Sequence, residues 1–198
     1  QKQIASFERA QKTIGDGKYD SDTLYIIKNE DIIPALINLD RTKSILAKVD
    51  NFNVLVPSKS EANEKDLYEN LPIYEANFFK IKLNDPIAFN KSSNSQNKYF
   101  LSRNWFGSEE WGVWSKDQQS LLTLPLPTPA PKTLSLNLRA FVTGAIPTQI
   151  VTIGYEGQPI KKIQLSNFEN NTFTIEIPSA ALNKGYITLE FDIPNAAS

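Results

Sequence analysis

From about residue 72 onward the chain alternates apolar and polar positions with a period of two. Leu134, Leu136 and Leu138 alternate with Ser135 and Asn137, Phe173, Ile175 and Ile177 with Thr174 and Glu176, and Ile187, Leu189 and Phe191 with Thr188 and Glu190. Such alternation marks strands with one buried and one solvated face. Phe79, Ile81 and Leu83 predict a further strand ending at an Asn84-Asp85-Pro86 turn, and Ile87–Phe89, Tyr99–Leu101, Leu122–Leu126, Gln149–Ile153 and Ile160–Leu165 supply the remaining short apolar runs. Glu156-Gly157 predicts a hairpin turn, and a proline-rich hinge runs from Pro125 to Pro131. About eight such segments with turn signals between them predict an antiparallel β-sandwich of jelly-roll, galactose-binding-like type. Ser179–Leu182 fits a single helical turn.

The first 57 residues follow a different rhythm. Ile4, Phe7, Ala10 and Ile14 recur at helical spacing before Gly15-Asp16-Gly17, and Thr23–Ile27 reads as a buried strand. A second helix opens near Asn29, with Pro34 in its first turn and Ile33, Leu36 and Ile37 on its apolar side. Ser44–Val49 and Phe52–Val56 predict two strands around a tight turn at Asp50-Asn51. The whole is an α+β chain: a small α/β unit over 1–57, a polar linker over 58–71, and the sandwich over 72–198.

Composition narrows the chemistry. A formal net charge of -1 over 198 residues offers no field for nucleic acid. With no Cys and no His, disulfides, thiolate metal sites, imidazole zinc sites and a Ser-His-Asp triad are excluded. Lys28-Asn29-Glu30-Asp31 lacks the glycines of a phosphate-binding turn, so no cofactor is implied. Asp20-Ser21-Asp22 and Glu30-Asp31 offer oxygen ligands for a cation, but capping and turn roles account for them better, and no metal is assigned. The absence of Met at position 1 suggests a piece of a longer chain or a processed product. No apolar run approaches the roughly 20 residues that span a bilayer.

All three tryptophans fall in Asn104-Trp105-Phe106-Gly107-Ser108-Glu109-Glu110-Trp111-Gly112-Val113-Trp114-Ser115. Read as a strand, Glu110–Ser115 would place Trp111 and Trp114 on opposite faces. Gly112 beside a ring suggests another backbone or a ligand packed against it. Two readings stand. In one, Trp105 or Trp114 is a sugar-stacking platform, with Arg103, Asn104, Glu109, Glu110 and Asp117 as polar contacts and Trp111 beside them. In the other, the indoles plug the end of the sandwich and Glu109 accepts a hydrogen bond from a turn or an indole. Adjacent Glu109 and Glu110 would diverge across a strand, which does not suit a glycosidase pair. No catalytic residue is assigned.

The segment resembles a motif of the form G-W-x-x-P-E-x-W-G-x-W-S. That motif leads into the C-terminal all-β soluble region of bacterial multi-pass membrane proteins similar to lipid-linked sugar transferases or phosphoglycerol transferases. Trp105, Glu109, Trp111, Gly112, Trp114 and Ser115 match, while Asn104 and Ser108 replace its glycine and proline. The tail Ile193-Pro194-Asn195-Ala196-Ala197-Ser198 and the stretch around Gly17-Lys18-Tyr19-Asp20 are similar to it too. The resemblance implies a non-catalytic accessory domain on the extracytoplasmic (periplasmic) side of a bacterial inner membrane. Its partners would be a glycan or lipid-linked saccharide and the membrane domain of its own parent chain. A catalytic carbohydrate-active domain and a purely structural assembly module are the alternatives.

Overall fold

The computed structural model describes residues 25–38, 43–49, 52–57, 81–93 and 97–196. The chain divides into two compact units, Gln1–Lys80 and Ile81–Ser198. The expected first helix and the 58–71 linker lie outside the described residues. Antiparallel sheets dominate, with 40% strand and a few short helices in a β-sandwich-like α+β fold. Among the described residues no helix is long and apolar enough to cross a membrane.

In the first unit, β1 (Tyr25–Lys28), β2 (Lys43–Val49) and β3 (Phe52–Pro57) form a three-stranded sheet in the order β1-β3-β2. Both ladders are antiparallel, and Val49 stands opposite Phe52. Tyr25 and Ile27 are buried while Ile26 between them is 41% exposed, as a period of two demands. A 3-10 turn at Asn29–Asp31 leads into α1 (Ile32–Asn38), with Pro34 in its first turn. Ile32, Ile33, Ala35 and Leu36 are buried, which puts the helix's apolar stripe inward. Burial first, and then the neighbouring Glu30 carboxylate, raise Asp31 above its ordinary carboxyl value.

Among the described residues the second unit holds seven strands in two sheets. β4 (Leu101–Arg103), β5 (Gln119–Pro125), β7 (Gln149–Tyr155), β8 (Gln158–Leu165) and β10 (Tyr186–Asp192) form one sheet in the order β4-β5-β10-β7-β8. β6 (Thr133–Leu138) and β9 (Asn171–Glu176) form a separate antiparallel pair. The last strand in sequence lies at the centre of the larger sheet, with Ile187 opposite Leu124 and Leu189 opposite Leu122 on one face. Ile153, Ile187 and Leu189 have no exposed surface, and Phe191, Leu165 and Ile175 are nearly as buried. On the opposite face of the sheet, hydroxyls run across three strands. Ser102 donates to Thr123 at 2.8 Å, and Thr123 and Thr188 are 3.1 Å apart.

The β7–β8 hairpin turns through Glu156 (φ 51) and Gly157 (φ 71), the positive-φ pair of a type I′ turn. Lys184, in the last turn of α2 (Ser179–Lys184), forms an ion pair with Glu156. The hydrogen bond from Lys184 lowers the Glu156 carboxyl, and the bond to Glu156 raises Lys184. Both side chains are largely in solvent, so the pair adds little stability. The turn itself matters more. Gly157→Ala finds open space but a left-handed backbone. It is expected to cost about 1 kcal/mol by chemical denaturation.

Two expectations are corrected here. Residues 81–83 form no strand; a turn closes by Asp85 N–H on the Lys82 carbonyl at 3.3 Å, and Leu83 is 48% exposed. A brief alternation without a partner strand does not hold an extended ladder. Among the described residues the expected eight or so strands are seven, because neither 81–83 nor 87–89 is a strand, and the expected strand at Tyr99 begins only at Leu101 after a 3-10 turn (Asn97–Tyr99).

Candidate functional site

The connection between β4 and β5 leaves the sheet as a closed excursion. Past the Arg103–Leu121 pair the two sides meet again at a Trp105–Ser115 bridge. Two backbone bonds flank that bridge, Lys116 N–H to the Asn104 carbonyl at 2.8 Å and Phe106 N–H to the Trp114 carbonyl at 2.9 Å. The tip is pinned by Glu109 N–H on the Gly112 carbonyl at 2.7 Å, and Lys91 N–H reaches the Glu109 carbonyl at 2.9 Å. Asn104 starts the excursion at φ 60, a left-handed geometry that Asn tolerates better than most residues. Its side chain donates to the Gln119 carbonyl at 2.8 Å, and its own carbonyl accepts from Ser120 Oγ at 2.7 Å.

The three indoles divide into two groups. Trp105 donates its N–H to the Leu121 carbonyl at 2.6 Å and meets Phe191 edge-on, with ring centroids 5.7 Å apart. Phe191 belongs to the buried face of β10, so Trp105 closes that end of the core. Trp111 and Trp114 pack edge-to-face on each other at 4.5 Å, away from that closure. The expected strand at 110–115 is therefore corrected. Residues 106–114 form a loop closed by the bonds described above, so residues three apart face one another. Gly112 is buried, yet a Cβ built there would meet nothing within 4 Å beyond its chain neighbours.

Around Trp111 and Trp114 the fold gathers side chains that lie far off in sequence. The register of β6 with β9 sets Leu138 opposite Asn171. The next residues outward, Arg139 on one strand and those preceding Asn171 on the other, must then meet. Ala140 N–H donates to the Phe168 carbonyl at 3.1 Å, and the buried Asn171 amide ties the Leu138 and Asn167 carbonyls at 3.2 and 2.9 Å. Arg139 consequently lies over two rings, 4.8 Å from the Trp111 centroid and 5.7 Å from that of Phe168. Trp114 reaches Phe168 at 6.4 Å. Glu169 pairs with Arg139 at 2.9 Å, and Glu109 Oε2 accepts the Trp111 N–H at 2.7 Å.

The cluster is thus three aromatic rings, one guanidinium and two carboxylates, with Phe168 45% exposed. Trp111, Trp114 and Glu109 of the expected residues take part. Arg139, Phe168 and Glu169 join them from outside the motif. Glu110 is turned away toward Lys91 at 3.6 Å, with 82% of its side chain exposed. Asp117 accepts the N–H of Gln118 at 2.7 Å, and Arg103 is exposed on β4. Among the described residues no group of three or more acidic, His or Cys side chains could hold a metal ion. Asp20-Ser21-Asp22 lies outside them. Comparison of the chain with known protein families, with curated proteins and with solved structures finds no match in any of the three.

Proposed function

We propose that the second unit is a non-catalytic carbohydrate-contacting module in which Trp111, Trp114 and Phe168 supply the stacking surface and Arg139 the polar contact. The observation that carries this reading is the guanidinium packed over two rings beside partly exposed indoles. Pyranose rings present an apolar face of axial C–H groups ringed by hydroxyls. Flat aromatic surface with fixed donors at its edge is its chemical complement. Glu109 and Glu110 are held by different partners, Trp111 and Lys91, which supports contact over hydrolysis.

The wider setting follows from the resemblance of the Trp motif. In this proposal the chain is an accessory region of a membrane-embedded sugar-transferase-like protein on the extracytoplasmic side, and the second unit is a jelly-roll of galactose-binding-like type. The left-handed φ of Asn104 supports the motif match, because glycine, which the motif carries there, suits the same geometry. Calorimetric titration against a saccharide panel tests the reading. Wild-type chain is expected to bind at least one saccharide, and Trp114→Ala to weaken that binding at least about tenfold. Absence of any saccharide binding by the folded wild-type chain would remove the proposal.

A further inference from the structure

Resting on the carbohydrate reading, we propose that Glu169 sets the ligand's charge class: the cluster takes neutral saccharides and rejects uronates and other anionic sugars. The starting point is how Arg139 is held. Its guanidinium carbon lies over two aromatic rings, 4.8 Å from the Trp111 centroid and 5.7 Å from that of Phe168, and a guanidinium can donate to a ligand only through the N–H groups along its edge. A guanidinium fixed in a plane is preorganised to donate two parallel bonds, and two ligand chemistries fit that fork equally well. One is a pair of vicinal hydroxyls. The other is a carboxylate or phosphate.

Glu169 decides between them. Its Oε1 is 2.9 Å from Arg139 Nη2, which uses one edge of the fork and cancels the cation's charge. Glu109 adds a second carboxylate through its bond to the Trp111 N–H. The cluster proper therefore carries one positive and two negative groups. A ligand carboxylate on the remaining edge of Arg139 would lie next to the Glu169 carboxylate, where like-charge repulsion opposes binding. A hydroxyl pair meets no such repulsion and can accept from Arg139 while donating to Glu169. The pair is also open to solvent, with 29% of the Arg139 and 47% of the Glu169 side chain exposed, so ligand oxygens can reach both. Arg139 is the contact group in this scheme and Glu169 the excluding one.

Matched oligosaccharides that differ only in whether C6 is a hydroxymethyl or a carboxylate isolate this effect. Gluco-, galacto- and manno-configured trimers and their uronate counterparts would be titrated calorimetrically into wild-type chain and into Glu169→Gln. Glu169 lies in the exposed β8–β9 connection, and far-UV circular dichroism confirms that the variant is folded. Wild-type chain is expected to bind a neutral trimer about tenfold or more tightly than its uronate. Glu169→Gln is expected to close that gap chiefly by gaining uronate affinity, and the gained affinity is expected to fall as salt rises. Equal or tighter uronate binding by wild-type chain, or an unchanged gap in Glu169→Gln, would overturn the charge assignment while leaving carbohydrate binding standing. No binding of any trimer by either folded protein would remove both.

Discussion

Trp105→Ala is expected to lower the stability of the second unit by about 3 kcal/mol, the scale of truncating a large aromatic side chain in a packed environment. Three losses combine. The indole's edge-on contact with Phe191 at 5.7 Å disappears, and the part-buried Leu121 carbonyl loses the donor that now reaches it at 2.6 Å. The apolar area that closes the core beneath Phe191 is returned to water. For a unit of this size the melting temperature should fall by roughly 10 °C. Saccharide affinity measured below the transition should be nearly unchanged, because the Trp105 indole bonds to Leu121 and packs on Phe191, on the core side of the excursion. A variant that melts like wild type would show that the core closure is misassigned.

The opposite pattern is expected for Trp111→Ala. Trp111 lies between the Glu109 carboxylate and the Arg139 guanidinium, and its ring packs on Trp114. Its removal takes away one stacking surface and frees the guanidinium to rotate, so both the apolar and the polar halves of the site are lost together. Affinity for a bound saccharide should fall by more than about tenfold, a figure that corresponds to roughly 1.4 kcal/mol. Stability should change by only about 1 kcal/mol, the scale of an exposed cation–π contact and an aromatic pair. Saccharide affinity retained in Trp111→Ala would place the binding surface elsewhere.

The strands of the second unit were legible wherever alternation ran long enough. Thr133–Leu138 and Tyr186–Asp192 each carry three apolar residues two apart, Asn171–Glu176 carries Phe173 and Ile175, and each is a strand. The hairpin at Glu156-Gly157 was legible because glycine fits the second positive-φ position of its turn. Alternation says which face of a strand is buried, but not which strand it pairs with. That Leu138 stands opposite Asn171 is a fact of topology, and it brings Arg139 and Phe168 together. The signal available for them was weak: an Arg just past one strand and an exposed Phe-Glu pair just before another. Within the Trp segment the motif exposed the concentration of indoles and carboxylates. Its reading as a strand failed because Gly107, Gly112 and the Glu109–Gly112 bond favour a closed loop. That difference moves Trp111 and Trp114 from opposite faces to mutual contact.

In the proposed function one indole closes the core while the other two meet the ligand. With three tryptophans in the chain, an isotope-labelled sample yields three indole N–H resonances, assigned by single Trp→Phe replacements. On addition of a binding saccharide, the Trp111 and Trp114 signals should shift saturably while that of Trp105 stays in place. Movement confined to Trp105, or no indole movement with a saccharide that calorimetry shows to bind, would contradict the account.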